Sequence, residues 1–156
     1  MGAWDELPVS TITSFATKVI DAGWEPAAVD SIIDGFGWTI ERRREDRVRA
    51  RTEVGFAVFT IADGAIGRAT LETTTMVKEP EHGDPDLPAF VDGALEHAKA
   101  ALVPVLGEPD NTKRARSGDV ELRWMGPERY AFLGRYISGV HLELAPWEEW
   151  REREVR

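Results

Sequence analysis

The chain has no cysteine. That one absence removes a disulfide framework, thiolate zinc ligation and a cysteine nucleophile, and it fits a reducing compartment. No apolar run is long enough to cross a bilayer, and the opening stretch MGAWDELPVS lacks the basic and apolar regions of a signal peptide. A cytoplasmic protein is expected. Gly2 follows Met1, but the Ser or Thr that a myristoylation site requires further on is missing. Catalytic signatures are missing too. There is no GxSxG elbow, and Ser10, Ser14, Ser31, Ser117 and Ser138 have no general base beside them in sequence. The glycines are scattered, with no Walker or dinucleotide pattern to cradle a phosphate. Neither HExxH, an EF-hand loop nor a pair of histidines on one helix face occurs.

Basic residues are outnumbered. Against 19 Lys plus Arg stand 28 Asp plus Glu, a formal net charge of −9. Such a mean field repels nucleic acid and anionic membrane and favours basic partners. With 42% hydrophobic and 30% charged residues, the composition is that of a folded globular protein, and 156 residues fit one domain spanning 1–156.

Apolar residues Ile12, Phe15, Ala16, Val19 and Ile20 recur at helical spacing, and Gly23 supplies an ending. A second helix is expected from Pro26, burying Val29, Ile32, Ile33 and Phe36, with Gly35 and Gly37 closing it. The two Gly-Trp pairs, Gly23-Trp24 and Gly37-Trp38, thus read as corners of a scaffold plugged by indoles. Trp38 begins an alternating, strand-like run. Two further β-rich runs flank Asp63-Gly64, a hairpin signal.

After an exposed, acidic loop, a long helix is expected from Asp86, as a cap, and Pro88 until Pro104 and Gly107 disrupt it. The polar stretch GEPDNTKRARSGD reads as a connection. Three more strands follow, with turns at Gly126-Pro127 and Ser138-Gly139, and then a charged C-terminal helix, WEEWREREVR. Blocks of strands joined by short turns predict an α+β fold with an antiparallel sheet of about six strands. Two N-terminal helices, one long central helix and a short C-terminal helix complete it.

Three groups of residues are candidates for function. The run ERRREDRVRARTE holds Arg42, Arg43, Arg44, Arg47, Arg49 and Arg51, but interleaved acids and an acidic domain make it a charged hairpin edge rather than a nucleic-acid surface. His141 and Glu143 share one face of a strand, and His82, Asp84 and Asp86 share a loop, spacings that permit a metal without specifying one; no metal or other cofactor is assigned. His97 is expected on the rim of the long helix. Two acidic segments, from Glu79 and Glu81 through Asp84 to Asp86, and from Trp147 through Glu148, Glu149 and Trp150, combine carboxylates with aromatic anchors. These eight residues are the expected partner-binding set.

The Gly-Trp before a strand, the ELRW strand and the RYISGVHLEL strand resemble those of small acidic actinobacterial proteins of unknown function, of the kind found as immunity proteins in polymorphic-toxin systems. The resemblance extends from about Ile12 to Trp147. It implies a cytosolic inhibitor, monomeric or homodimeric, that occludes a basic toxin domain and has no catalysis of its own; no binding residue carries over from it. The element order also resembles the secretion-chaperone fold, which implies a dimer with an apolar groove. A small hydrolase or transferase whose acidic cleft gathers His141, Glu143 and a loop carboxylate is the enzymatic alternative.

Overall fold

The computed structural model describes residues 4–77, 85–125 and 129–146, with the backbone alone for Arg129. Helix α1 covers Val9–Asp21 and turns Ile12, Phe15, Ala16 and Val19 inward. Gly23 closes it in the left-handed region, at φ 63°, and its N–H bonds the Ile20 carbonyl. A single 3-10 turn at Pro26–Ala28 leads into α2, Val29–Gly35, whose Val29, Ile32 and Ile33 are buried. Both Gly-Trp pairs are corners, as their composition predicts. Trp38 is buried and stacks on Phe36 with centroids 4.4 Å apart, while Trp24 packs against the core and accepts the Ile66 N–H at its carbonyl.

Strands β1 (Thr39–Arg44), β2 (Arg47–Arg51), β3 (Phe56–Ala62) and β4 (Ala65–Glu72) form a meander. Its β3–β4 turn is Asp63-Gly64, both residues at positive φ, as a two-residue hairpin of right-handed twist requires. Helix α3 covers Leu87–Leu106. Strands β5 (Asn111–Arg114), β6 (Val120–Met125), β7 (Arg129–Tyr136) and β8 (Gly139–Pro146) form a second meander. Strand β8 pairs antiparallel with β4 and joins the two halves into one eight-stranded sheet, in the order β1-β2-β3-β4-β8-β7-β6-β5.

The α+β class and the antiparallel sheet are as expected; the count is not. The sheet has eight strands rather than six, and the described residues hold three α-helices. The expected C-terminal helix lies outside them, as does the Gly126-Pro127 turn. The two extra strands are β2, where the basic run folds back on itself, and β5, inside the expected polar connection. Helix α3 also continues through Pro104, which sits in its last turn. Termination falls to Gly107, at φ 80°, and Trp124 Nε1 donates to the Gly107 carbonyl at 2.8 Å, fastening that end of α3 to β6.

All three helices cover one face of the sheet. Val48, Ala57, Phe59, Leu71, Leu142, Leu133 and Leu122 alternate onto that face along their strands and are buried. Phe15 is the keystone between layers: its ring lies 5.9 Å from that of Phe59 on the sheet, 6.1 Å from Trp38 and 6.4 Å from Phe36. Arg135 of β7 points to the same side and donates to Asp92 of α3 at 3.0 Å. The opposite face carries a smaller apolar cluster of Tyr130, Phe132 and Ala145, with Met125 and Tyr136 beside it.

Candidate interaction surfaces

Of the eight expected partner-binding residues, Glu79, Glu81, Asp84, Trp147, Glu148, Glu149 and Trp150 lie outside the described residues. Asp86 is exposed at the entry to α3. Its side chain does not cap the helix; its carbonyl accepts the Phe90 N–H at 3.1 Å. Helical φ and ψ at Asp86, −82° and −10°, differ from the extended conformation that presents a capping carboxylate to the first turn.

The metal and enzyme candidates occupy other settings. His141 is stacked with Tyr136 and Phe132, at centroid distances of 5.2 and 5.8 Å. Glu143, two residues on and on the same face, pairs with Arg68 at 2.9 Å. His97 pairs with Glu6 at 2.6 Å, and His82 and Asp84 lie outside the described residues. Among the described residues no three His, Asp or Glu side chains gather as a metal site would need.

A groove does form beside α2. It has a volume of about 680 Å³ and is lined by Asp30, Ser31, Ile33, Asp34, Trp38, Thr39 and Ile40. Helical geometry explains the wall, because Asp30 and Asp34 stand four residues apart on the exposed side of α2. The floor comes from the chain leaving α2: Trp38 is buried, with Nε1 donating to Glu53 at 2.5 Å, whereas Ile40 is 36% exposed, one of the few large apolar side chains left to solvent. On the other side of α2 a second depression, of about 360 Å³, is lined by Lys18, Asp21, Ala22, Ala28, Ser31 and Ile32. Asp30 is held by Arg43 at 2.5 Å, while Asp21 and Asp34 make no ion pair among the described residues. In the sequence α2 shows an apolar stripe, and the i, i+4 carboxylates on its other side are the signal for the wall.

The basic run forms the β1–β2 hairpin at one end of the sheet, the charged edge its sequence predicts. A bulge after Ile40 sets its sides. Arg43 turns to the helix layer and Asp30, and Arg42, Arg44, Arg47 and Arg49 turn to the opposite face. Next to them, Glu72 of β4 accepts the Phe56 N–H at 2.9 Å. Burial raises its carboxyl above the usual carboxylate range, against the pull of that hydrogen bond and of Arg49.

Together these elements define an α+β protein with one antiparallel sheet, a helix layer on one face and an acidic, apolar-floored groove along the outermost short helix. The profile of a family of unknown function (DUF6301) matches residues 12–145, and the chain belongs to that family. No curated protein and no solved structure matches it. Among the described residues no helix is long and apolar enough to cross a membrane.

Proposed function

We propose that this chain is a protein-binding module of the immunity type, which inhibits a basic partner, such as a toxin domain, by covering its working surface. The observation that carries this reading is the α2 groove, where Asp30 and Asp34 at the wall stand beside the exposed Ile40, over the buried Ile33 and Trp38. Interfaces draw their energy from a few apolar anchors seated in desolvated pockets, and their association rate and register from complementary charge around them. The groove offers both to a partner whose Lys or Arg meets Asp34 while an apolar side chain packs on Ile40. A net charge of −9 adds long-range attraction for a basic protein.

The test is affinity capture from the source organism's lysate, at low and then at high salt. One basic protein recovered at a fixed stoichiometry and released by salt is the expected result. Recovery of no protein, or of one that stays bound in high salt, contradicts the proposal.

A further inference from the structure

The arginine hairpin is a feature that a grip on a basic partner does not use. Residues 41–51 carry six arginines against three carboxylates, a net charge of +3, so the rest of the chain carries −12. Register makes the concentration sharper. Arg42 lies directly opposite Arg49, and Arg44 opposite Arg47. Like charges at directly opposed positions of an antiparallel pair are destabilising, and here the two pairs are adjacent on one face.

Among the described residues Glu72 attracts Arg49, and the nearest ion pairs involve the other two arginines of the run. Arg43 is taken by Asp30 and Arg51 by Glu41, at 2.5 and 2.9 Å. None of Arg42, Arg44, Arg47 and Arg49 forms an ion pair among the described residues. Asp46, in the turn between the strands, lines a neighbouring cavity with Arg47 and is not among the residues around the four. Arg49 is instead stacked on the Phe56 ring, its guanidinium carbon 3.6 Å from the ring centroid, which holds the planar fork in place before any ligand arrives.

Between the four side chains lies a cavity of about 40 Å³ that, among the described residues, is lined by these arginines. A water molecule needs about 10–15 Å³ of such space, so this cavity has room for a group of a few heavy atoms. We infer that Arg42, Arg44, Arg47 and Arg49 form a site for a phosphate monoester group. Such a group carries a charge of about −1.5 to −2 at neutral pH and three acceptor oxygens, which match several guanidinium forks; a carboxylate brings one charge and two oxygens. A phosphodiester polyanion matches less well, because the surrounding −12 repels every phosphate beyond the one in the site. The site is independent of the α2 groove, since the four arginines face the side of the sheet away from the helices.

The experiment follows arginine Nε–H signals by NMR while inorganic phosphate is added to the full chain, with chloride adjusted to hold ionic strength constant. Saturable shifts confined to Arg42, Arg44, Arg47 and Arg49 are expected. The variant Arg42→Gln/Arg44→Gln relieves both like-charge pairs and keeps the fold, and it should weaken binding by about tenfold or more, since two charge-assisted hydrogen bonds are lost. Arg114→Gln, on the far edge strand, should leave binding unchanged. Shifts that never saturate, shifts spread equally to Arg114 and Arg116, or equal affinity in the double variant would overturn the inference. So would tighter binding, per phosphate, of a 20-nucleotide single-stranded DNA.

Discussion

Replacing Phe15 by alanine tests whether the groove stands on the support described for it. The Phe15 side chain is fully buried and touches both layers, with Phe59 on the sheet below and Phe36 and Trp38 beside it. Truncating a buried phenylalanine to alanine costs about 3–5 kcal/mol, through lost transfer energy and the cavity left behind. Three aromatic neighbours place Phe15 toward the upper part of that range, because rings of this size cannot collapse into the space without leaving their own contacts. Domains are stable by about 5–15 kcal/mol in all, so the loss is a large share of the total. At about 2–4 °C per kcal/mol for a chain of this length, the melting temperature should fall by about 8–20 °C. Phe15→Leu keeps most of the volume and should cost about 1.5 kcal/mol or less. Urea unfolding followed by the summed fluorescence of the six tryptophans reads the stability. A cost below about 1 kcal/mol for Phe15→Ala would refute the reasoning, since it would mean that the helices are not held to the sheet through this residue.

The Glu72 carboxyl has a folded pKa raised by burial. Native protein therefore holds this proton more tightly than the unfolded chain does, and the stability linked to it is fully present below the unfolded pKa and lost as pH rises through the folded one. Glu72→Gln removes the titration and retains an oxygen for the Phe56 N–H, so the variant should gain on the parent between pH 4 and pH 7; parallel urea midpoints across that range would contradict this. Gly139 opens β8 where a Cβ would meet Met76 Sδ and Thr74 Oγ1 at 2.6 Å and the Thr75 carbonyl at 3.0 Å. Gly139→Ala should cost about 1–3 kcal/mol by overpacking, measured by thermal unfolding; an unchanged melting temperature would show that the 74–76 segment does not pack there. Asp34→Asn, at an exposed position, should leave stability within about 0.5 kcal/mol, so that any effect on partner capture reports on binding rather than folding.

Sequence pattern revealed those parts of the fold that bury side chains at a regular spacing. Helix α1, the Asp63-Gly64 hairpin and the alternating strands β3, β4, β6 and β8 all carry such a signal. Strand β5, Asn-Thr-Lys-Arg, has four exposed residues and no apolar one; it is held by its hydrogen bonds to β6, which leave no mark on composition. Strand β2 buries only Val48 and Ala50, a stripe too small to stand out among its arginines. In sequence the basic run reads as a hairpin edge, yet its cavity depends on register: one residue of slip would move Arg42 and Arg44 to the other face, and the bulge that sets their side leaves no mark in residue types. The α2 groove was hidden for a similar reason. Its wall and floor come from elements that are local in sequence, but their distance from each other is set by how α2 rests on Phe15 and Trp38.

The most direct test of the binding proposal is parallel capture with the parent chain and with an Asp30→Asn/Asp34→Asn variant, both shown to be folded by melting temperature. The expected result is a basic partner retained by the parent at low salt and lost, or weakened at least tenfold, with the variant. Equal retention by both proteins would contradict the assignment of the α2 groove as the gripping surface.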